Sequence, residues 1–128
     1  MFVIAWCRWG SDLWQAPGMV LEVALIDITP GSEDGFATAY KMAYPILATT
    51  PGCRSVRMTR GVESASRFVL LVEWDDVEAH EKNFRGTERF QQWRGWIGPY
   101  FAKPPLVEHY IDVPAGERPG PDRNFFTG

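Results

Sequence analysis

The chain is expected to fold as an α+β domain of β-α-β-β-α-β order, an antiparallel sheet with its helices on one face. Three observations predict this. Residues 20–28 and 68–74 are apolar on both alternations, as strands covered on two sides are. Helical spacing of apolar residues follows each of them. Pro-Gly or Gly-rich turns separate most of these segments.

The first strand, VLEVALIDI, puts Leu21, Val23 and Leu25 on one face and Ala24, Ile26 and Ile28 on the other. Thr29-Pro30-Gly31 ends it. Ser32 is placed to cap a helix whose first turn holds Glu33 and Asp34, where the helix dipole favours negative charge. Phe36, Ala39, Tyr40, Ala43 and Leu47 form its apolar stripe, and Pro45 should kink or weaken its last turn. After Thr50-Pro51-Gly52, a strand over residues 53–60 alternates Val56 and Met58 with Arg57 and Thr59. A hairpin loop over 61–66 leads to the third strand, 67–74, closed by Trp74. Asp75 or Asp76 then caps a short helix over 76–83, carrying Val77 and His80. Gly86-Thr87 interrupts, so the second helix is broken in two. The later piece has Phe90, Trp93 and Ile97 on its apolar stripe and ends near Pro99. Pro104-Pro105 introduces the last strand, 106–113.

This is the order of the ferredoxin-like fold, a split βαβ pair. Such a sheet has one face without helices. Because the two central strands are apolar on both alternations, that face should be covered, either by the same sheet of a second copy in a homodimer or by the N-terminal arm. Residues 1–18 stand apart from the domain at 19–113. They hold Trp6, Trp9 and Trp14 without clear periodicity and end at Pro17-Gly18. Either translation naturally starts at Met19, or this stretch packs its rings on the domain or a partner subunit. Residues 114–128 turn to Pro, Gly and charge and read as a tail.

At 128 residues one domain is expected, large enough to need no metal or disulfide for stability. The net charge of −3 argues against nucleic acid, and Arg54, Arg57 and Arg60 read as the polar dressing of a strand. Cys7 and Cys53 form no CxxC and read as free thiols in a reducing cytoplasm. The opening MFVIAWC is too short to span a bilayer and lacks the marks of a secretory signal. There is no GxGxxG, no P-loop and no Cys/His cluster at metal spacing, so neither cofactor nor metal is expected.

The segments PGSEDGF, ATTPGCRSVRMTRG, RFVLLVEWDDVEAHEKNFRGTERFQQW and PLVEHY, in that order and spacing, resemble the antibiotic biosynthesis monooxygenase domain of the dimeric α+β barrel superfamily. The resemblance covers about residues 20–113. It implies a dimeric α+β barrel and, by function, a cofactor-independent monooxygenase that uses O₂ on an aromatic or quinol-type molecule. The haem-degrading branch resembles a pattern of Asn, Trp and His whose places here fall near Ala24, Asn83 and Trp93, which match none of them. The missing His would be the axial iron ligand. The polyketide-oxygenase branch resembles Trp, a hydroxylated aromatic and Arg. Those places hold Trp74, His80 and Arg94, with His standing where Tyr is usual.

Oxygenation without a cofactor needs a base near neutral pKa, a donor or cation for the developing oxyanion, and a dry, flat cavity. His80, three residues after Val77 and four before Phe84, lies on or beside the inward stripe of its helix and is the candidate base or hydrogen-bonding partner. Trp74 and Phe84 are candidate walls. Arg94, His109 (in step with Val107 and Ile111), and Tyr40 and Tyr44 on one helix face complete the candidate substrate-binding set. Each also has a structural reading as core or surface. The competing function is a non-catalytic ferredoxin-like dimer that binds a small hydrophobic ligand or a protein partner.

Overall fold

The computed structural model describes residues 19–116. The aromatic stretch 1–18 and the tail from 117 onward, with the expectations made for them, lie outside the described residues. The elements are β1 (Val20–Asp27), α1 (Glu33–Ala48), β2 (Cys53–Arg60), β3 (Arg67–Trp74), α2 (Val77–His80), α3 (Glu88–Ile97) and β4 (Leu106–Tyr110). A π turn (Glu81–Arg85) joins α2 to α3, and a 3₁₀ turn (Gly98–Tyr100) follows α3. The sheet runs β2-β3-β1-β4, every pair antiparallel, which is the expected ferredoxin-like topology.

Both central strands divide their side chains as their patterns predict. Ala24, Ile26, Phe68, Leu70, Val72 and Trp74 are buried under the helices, against Phe36, Ala43 and Leu47 of α1 and Trp93 and Ile97 of α3. Phe36 meets Phe68 edge-on at 4.7 Å. On the opposite face Leu21, Val23, Leu25, Val69 and Leu71 are only partly covered. Among the described residues no helix is long and apolar enough to cross a membrane.

Three local expectations need correction. Ser32 occupies the N-cap of α1, but its side chain makes no capping bond. Glu33 instead ties the helix start to its surroundings, its carboxylate accepting from the Gly31 N–H at 2.9 Å and from the Ser66 hydroxyl. Pro45 leaves α1 continuous to Ala48. The late carbonyls gain side-chain donors: Thr49 Oγ1 on Pro45 O at 2.7 Å, and Thr50 Oγ1 and Arg89 Nη1 on Ile46 O, each at 3.0 Å. The last strand stops at Tyr110, where its pairing with β1 ends at Leu21.

The turn before β2 sets the position of α2. Asp76 caps α2 by accepting from the Ala79 N–H at 2.7 Å. Asp75 instead holds Arg54 at 2.7 Å. Gly52 has φ +89°, and a Cβ there would lie 2.6 Å from the Ala79 side chain. The Gly52 carbonyl accepts from the Asp75 N–H at 2.8 Å, and Asn83 Nδ2 donates to the Pro51 carbonyl at 2.8 Å. A glycine is therefore required for the turn to lie flat against the helix that carries His80. We expect Gly52→Ala to lower the unfolding free energy by about 2 kcal/mol, measured by urea denaturation. An unchanged midpoint and slope would show that the turn does not constrain α2.

Candidate active site

The site grows from a charged residue in an apolar strand. Glu22 lies on the helix-facing side of β1 and is only 5% exposed. In the register it faces Val72 on β3 and His109 on β4, and Trp74 lies diagonally across from it. Trp74 is fully buried, and its Nε1–H donates to Glu22 Oε1 at 2.9 Å. His80, the last residue of α2, stacks on the Trp74 indole at 4.9 Å and 16°. Its Nε2 lies 3.4 Å from Glu22 Oε1, and its Nδ1 is hydrogen-bonded to His109 Nε2 at 2.8 Å. Four side chains from β1, β3, α2 and β4 thus form one polar cluster inside an aromatic shell. The chain then widens into the π turn, a geometry frequent at functional sites. It buries Phe84 beside His80, edge-on to Phe90 and Trp93.

Burial decides the protonation states. It pushes the Glu22 carboxyl up to about 7, and the Trp74 bond and nearby Arg85 only partly offset this. Burial, with His109 and Arg85 adding to it, pushes His80 down to about 3. His109 is lowered too, again chiefly by burial. The 3.4 Å approach of Glu22 to His80 is therefore not an ion pair at neutral pH: the imidazole is uncharged and the carboxyl is near half-ionised. An ionised Glu22 only accepts, so it favours the His80 tautomer with its proton on Nε2, leaving Nδ1 to accept from His109.

Beside this cluster, between the sheet and α3, is a cavity of about 250 Å³. The sheet lines it with Glu22, Ala24, Ile26 and Val107. His80, Phe84 and Arg85 line it from α2 and the π turn, and Phe90, Trp93 and Arg94 from α3. It falls just under the roughly 300–1,000 Å³ usual for drug-sized ligands and suits one or two fused rings.

Of the candidates read from sequence, His80, Phe84 and Arg94 meet at this cavity. Trp74 lies behind His80 and outside the lining, where it holds Glu22 and supports the imidazole. His109 reaches the cluster through His80 and also stays outside the lining. Tyr40 packs edge-on against Trp93 at 6.3 Å and Tyr44 at 5.9 Å; neither tyrosine reaches the cavity. Two charged lining residues, Glu22 and Arg85, were not singled out from sequence. Glu22 did carry a signal, as the one charge between Val20 and Ile26 on the alternation of Ala24. Arg85 carried none, because the π turn shifts the helical phase that would place it.

His80, Glu81 and His109 bring possible metal-ligand atoms within 4.8 Å of one another. Sequence spacing could not reveal this set, since His109 comes from a distant strand. The two imidazoles already satisfy each other by their hydrogen bond, and Glu81 is exposed.

The fold and this site define an α+β, ferredoxin-like domain with an acid–base cluster beside an aromatic cavity. Residues 19–96 match the antibiotic biosynthesis monooxygenase family. The uncharacterized Bacillus subtilis protein YczJ is 34% identical over 95 residues, 74% of this chain and 100% of YczJ. A solved Bordetella bronchiseptica structure named for the same family is 38% identical, with a TM-score of 0.72 over 75% of this chain and 98% of the other. A Caulobacter crescentus structure, also named for it, shares the fold at 22% identity and a TM-score of 0.66, covering 80% of this chain and 97% of that one. The chain belongs to the antibiotic biosynthesis monooxygenase family.

The raised Glu22 pKa has a consequence for stability. Between about pH 4.5 and 7 the unfolded carboxyl releases its proton while the folded one retains it. Folding stability from this group therefore falls as pH rises through that window and is level above it. His80 acts in the opposite sense, losing stability as pH falls from 6.5 toward 3. Glu22→Gln keeps an acceptor for Trp74 and removes only the carboxyl titration. Its unfolding free energy relative to the unmodified protein should climb from pH 4.5 to 7 and then level off. A difference that stays flat across those pH values would refute the assigned shift.

Proposed function

We propose that this protein is a cofactor-independent monooxygenase of a small hydroxylated aromatic or quinol, with O₂ as co-substrate. The observation that supports it is the buried Glu22 carboxyl, poised near pH 7 at an aromatic cavity. A base of that pKa is matched to a phenolic proton at neutral pH. His80 was the expected base. Held neutral to about pH 3, it serves better as the hydrogen-bonding partner that positions Glu22 and the substrate hydroxyl. Glu22 takes the hydroxyl proton. The resulting electron-rich anion gives one electron to O₂, and the substrate radical and superoxide combine to form a C–O bond. Loss of water from the protonated hydroperoxide leaves a carbonyl, so one oxygen atom enters the product and the other leaves as water. Phe84, Phe90 and Trp93 supply flat walls that keep water from the anion.

Oxygen uptake with a panel of anthrones, naphthols and quinols, without added metal or flavin, tests this reading. For an active substrate, kcat/KM should rise with pH through an apparent pKa near 7. Glu22→Gln should lose about 10²-fold or more in kcat while still binding the substrate. Ligands that bind without any oxygen uptake would instead support the alternative, a non-catalytic binding module.

A homodimer belongs to the same proposal. The sheet face opposite the helices carries Leu21, Val23, Leu25, Val69 and Leu71, flanked on β4 by exposed Leu106 and Tyr110. Two such faces packed together would cover the patch and close a barrel. Sedimentation equilibrium should give a dimer mass, and Leu71→Lys should shift it to monomer. A monomeric unmodified protein at micromolar concentration would contradict the barrel.

A further inference from the structure

The cavity carries two guanidiniums that proton removal does not need. Arg85 on the π turn and Arg94 on α3 both line it. A single ring locates the pair: the guanidinium carbons lie 5.5 and 5.7 Å from the centre of Phe90, and that of Arg94 also lies 5.6 Å from Phe101. Cation–π contacts of this kind hold a guanidinium in place without neutralising it. Among the described residues, neither arginine has a salt-bridge partner, although Asp27, Asp75 and Glu78 all find one. At neutral pH both imidazoles of the cluster are uncharged. The lining therefore carries two positive charges, less whatever fraction of Glu22 is ionised. A neutral phenol would leave both guanidiniums with only solvent as partner, whereas an anionic ligand could engage them.

We propose that the cavity selects an anionic aromatic: a hydroxylated aromatic carboxylate whose carboxylate is bound by Arg85 and Arg94 while its hydroxyl meets Glu22 and His80. This names the substrate class of the proposed oxygenation and rests on that reading. The donor forks of arginine match a carboxylate, and charge-assisted bonds of this type are about twice as strong as neutral ones. Both arginines are exposed at their outer sides, so the carboxylate would sit toward solvent and the ring would enter between Phe84, Phe90 and Trp93. Once the hydroxyl proton has moved to Glu22, the substrate carries two negative charges and the two guanidiniums balance them. The same pair that orients the substrate thereby stabilises its oxidisable form.

Anaerobic binding at pH 7.5 tests this, followed by quenching of tryptophan fluorescence. The ligands are 2-naphthol, 3-hydroxy-2-naphthoate and 6-hydroxy-2-naphthoate, so that the carboxylate is offered both near the hydroxyl and far from it. At least one hydroxynaphthoate should bind about tenfold or more tightly than 2-naphthol at low salt, and the gap should narrow as salt is raised. In the double variant Arg85→Gln/Arg94→Gln the advantage should vanish, each hydroxynaphthoate binding no more tightly than 2-naphthol does to that same variant. Equal or weaker binding of both hydroxynaphthoates to the unmodified protein would overturn the proposal. So would an advantage that survives in the double variant. Arginine-dependent carboxylate binding without oxygen uptake would sink the oxygenase reading and leave the anion site standing. Oxidation of 2-naphthol with no preference for the carboxylates would do the reverse.

Discussion

Glu22 sits among apolar residues on the buried side of β1, and its carboxyl must find partners or stay protonated. A buried, unpaired carboxylate would cost several kcal/mol. Here the Trp74 indole N–H and the His80 ring sit against it, and its pKa rises to about 7. Much of the site follows from satisfying that one group. Trp74 must end β3 on the helix side, so β3 and β1 must pair with Val20 opposite Trp74. His80 must stack on the indole, so α2 must start immediately after β3, with Asp76 as its cap and Gly52 beneath it. His109 must face Glu22 across the β1–β4 ladder to reach His80 Nδ1. A shift of one residue in either pairing would turn these side chains to the other face of the sheet.

The cluster also divides its chemical roles by environment. Burial acts on an acid and on a base in opposite directions, raising Glu22 and lowering His80. The result is a carboxyl that exchanges a proton near neutrality and an imidazole that does not. An ion pair between them would fix one charge distribution. The neutral imidazole leaves the carboxyl free to gain or lose a proton, and Arg85 is the nearby charge that eases its ionisation.

Much of the fold was legible because its signals are local. The double-sided apolar runs of β1 and β3, the break at Gly86-Thr87 and the cap at Asp76 each depend on neighbours within a few residues. Ser32 and Pro45 misled for the same reason. Glu33 finds Ser66 from another loop, and Ile46 O finds Arg89 from α3, contacts that no local pattern contains. In the site, His80 was legible as an inward-facing ionisable ring. Its partners were less so. The proximity of His109 to His80 depends on the β1–β4 register, and Arg85 reaches the cavity only because the π turn rotates the helix. Glu22 could have been read as a buried acid, since it shares the alternation of Ala24 and Ile26. Its proximity to Trp74 needed the β1–β3 pairing.

The cavity itself depends on two departures from an ordinary packed layer. Ala24, between Glu22 and Ile26 on the helix-facing side, is buried yet presents only a methyl group to the space above it. A leucine or phenylalanine there would fill what is now lined by Phe90 and Trp93. The break in the second helix supplies the other departure. A straight helix from Val77 to Ile97 would keep one stripe against the sheet along its whole length and leave no gap. By widening at Glu81–Arg85 and restarting at Glu88, the chain buries Phe84 beside His80 and brings Trp93 in over the sheet as the opposite wall. A small residue under a helix break makes the room, and the buried acid beside it gives that room a chemistry.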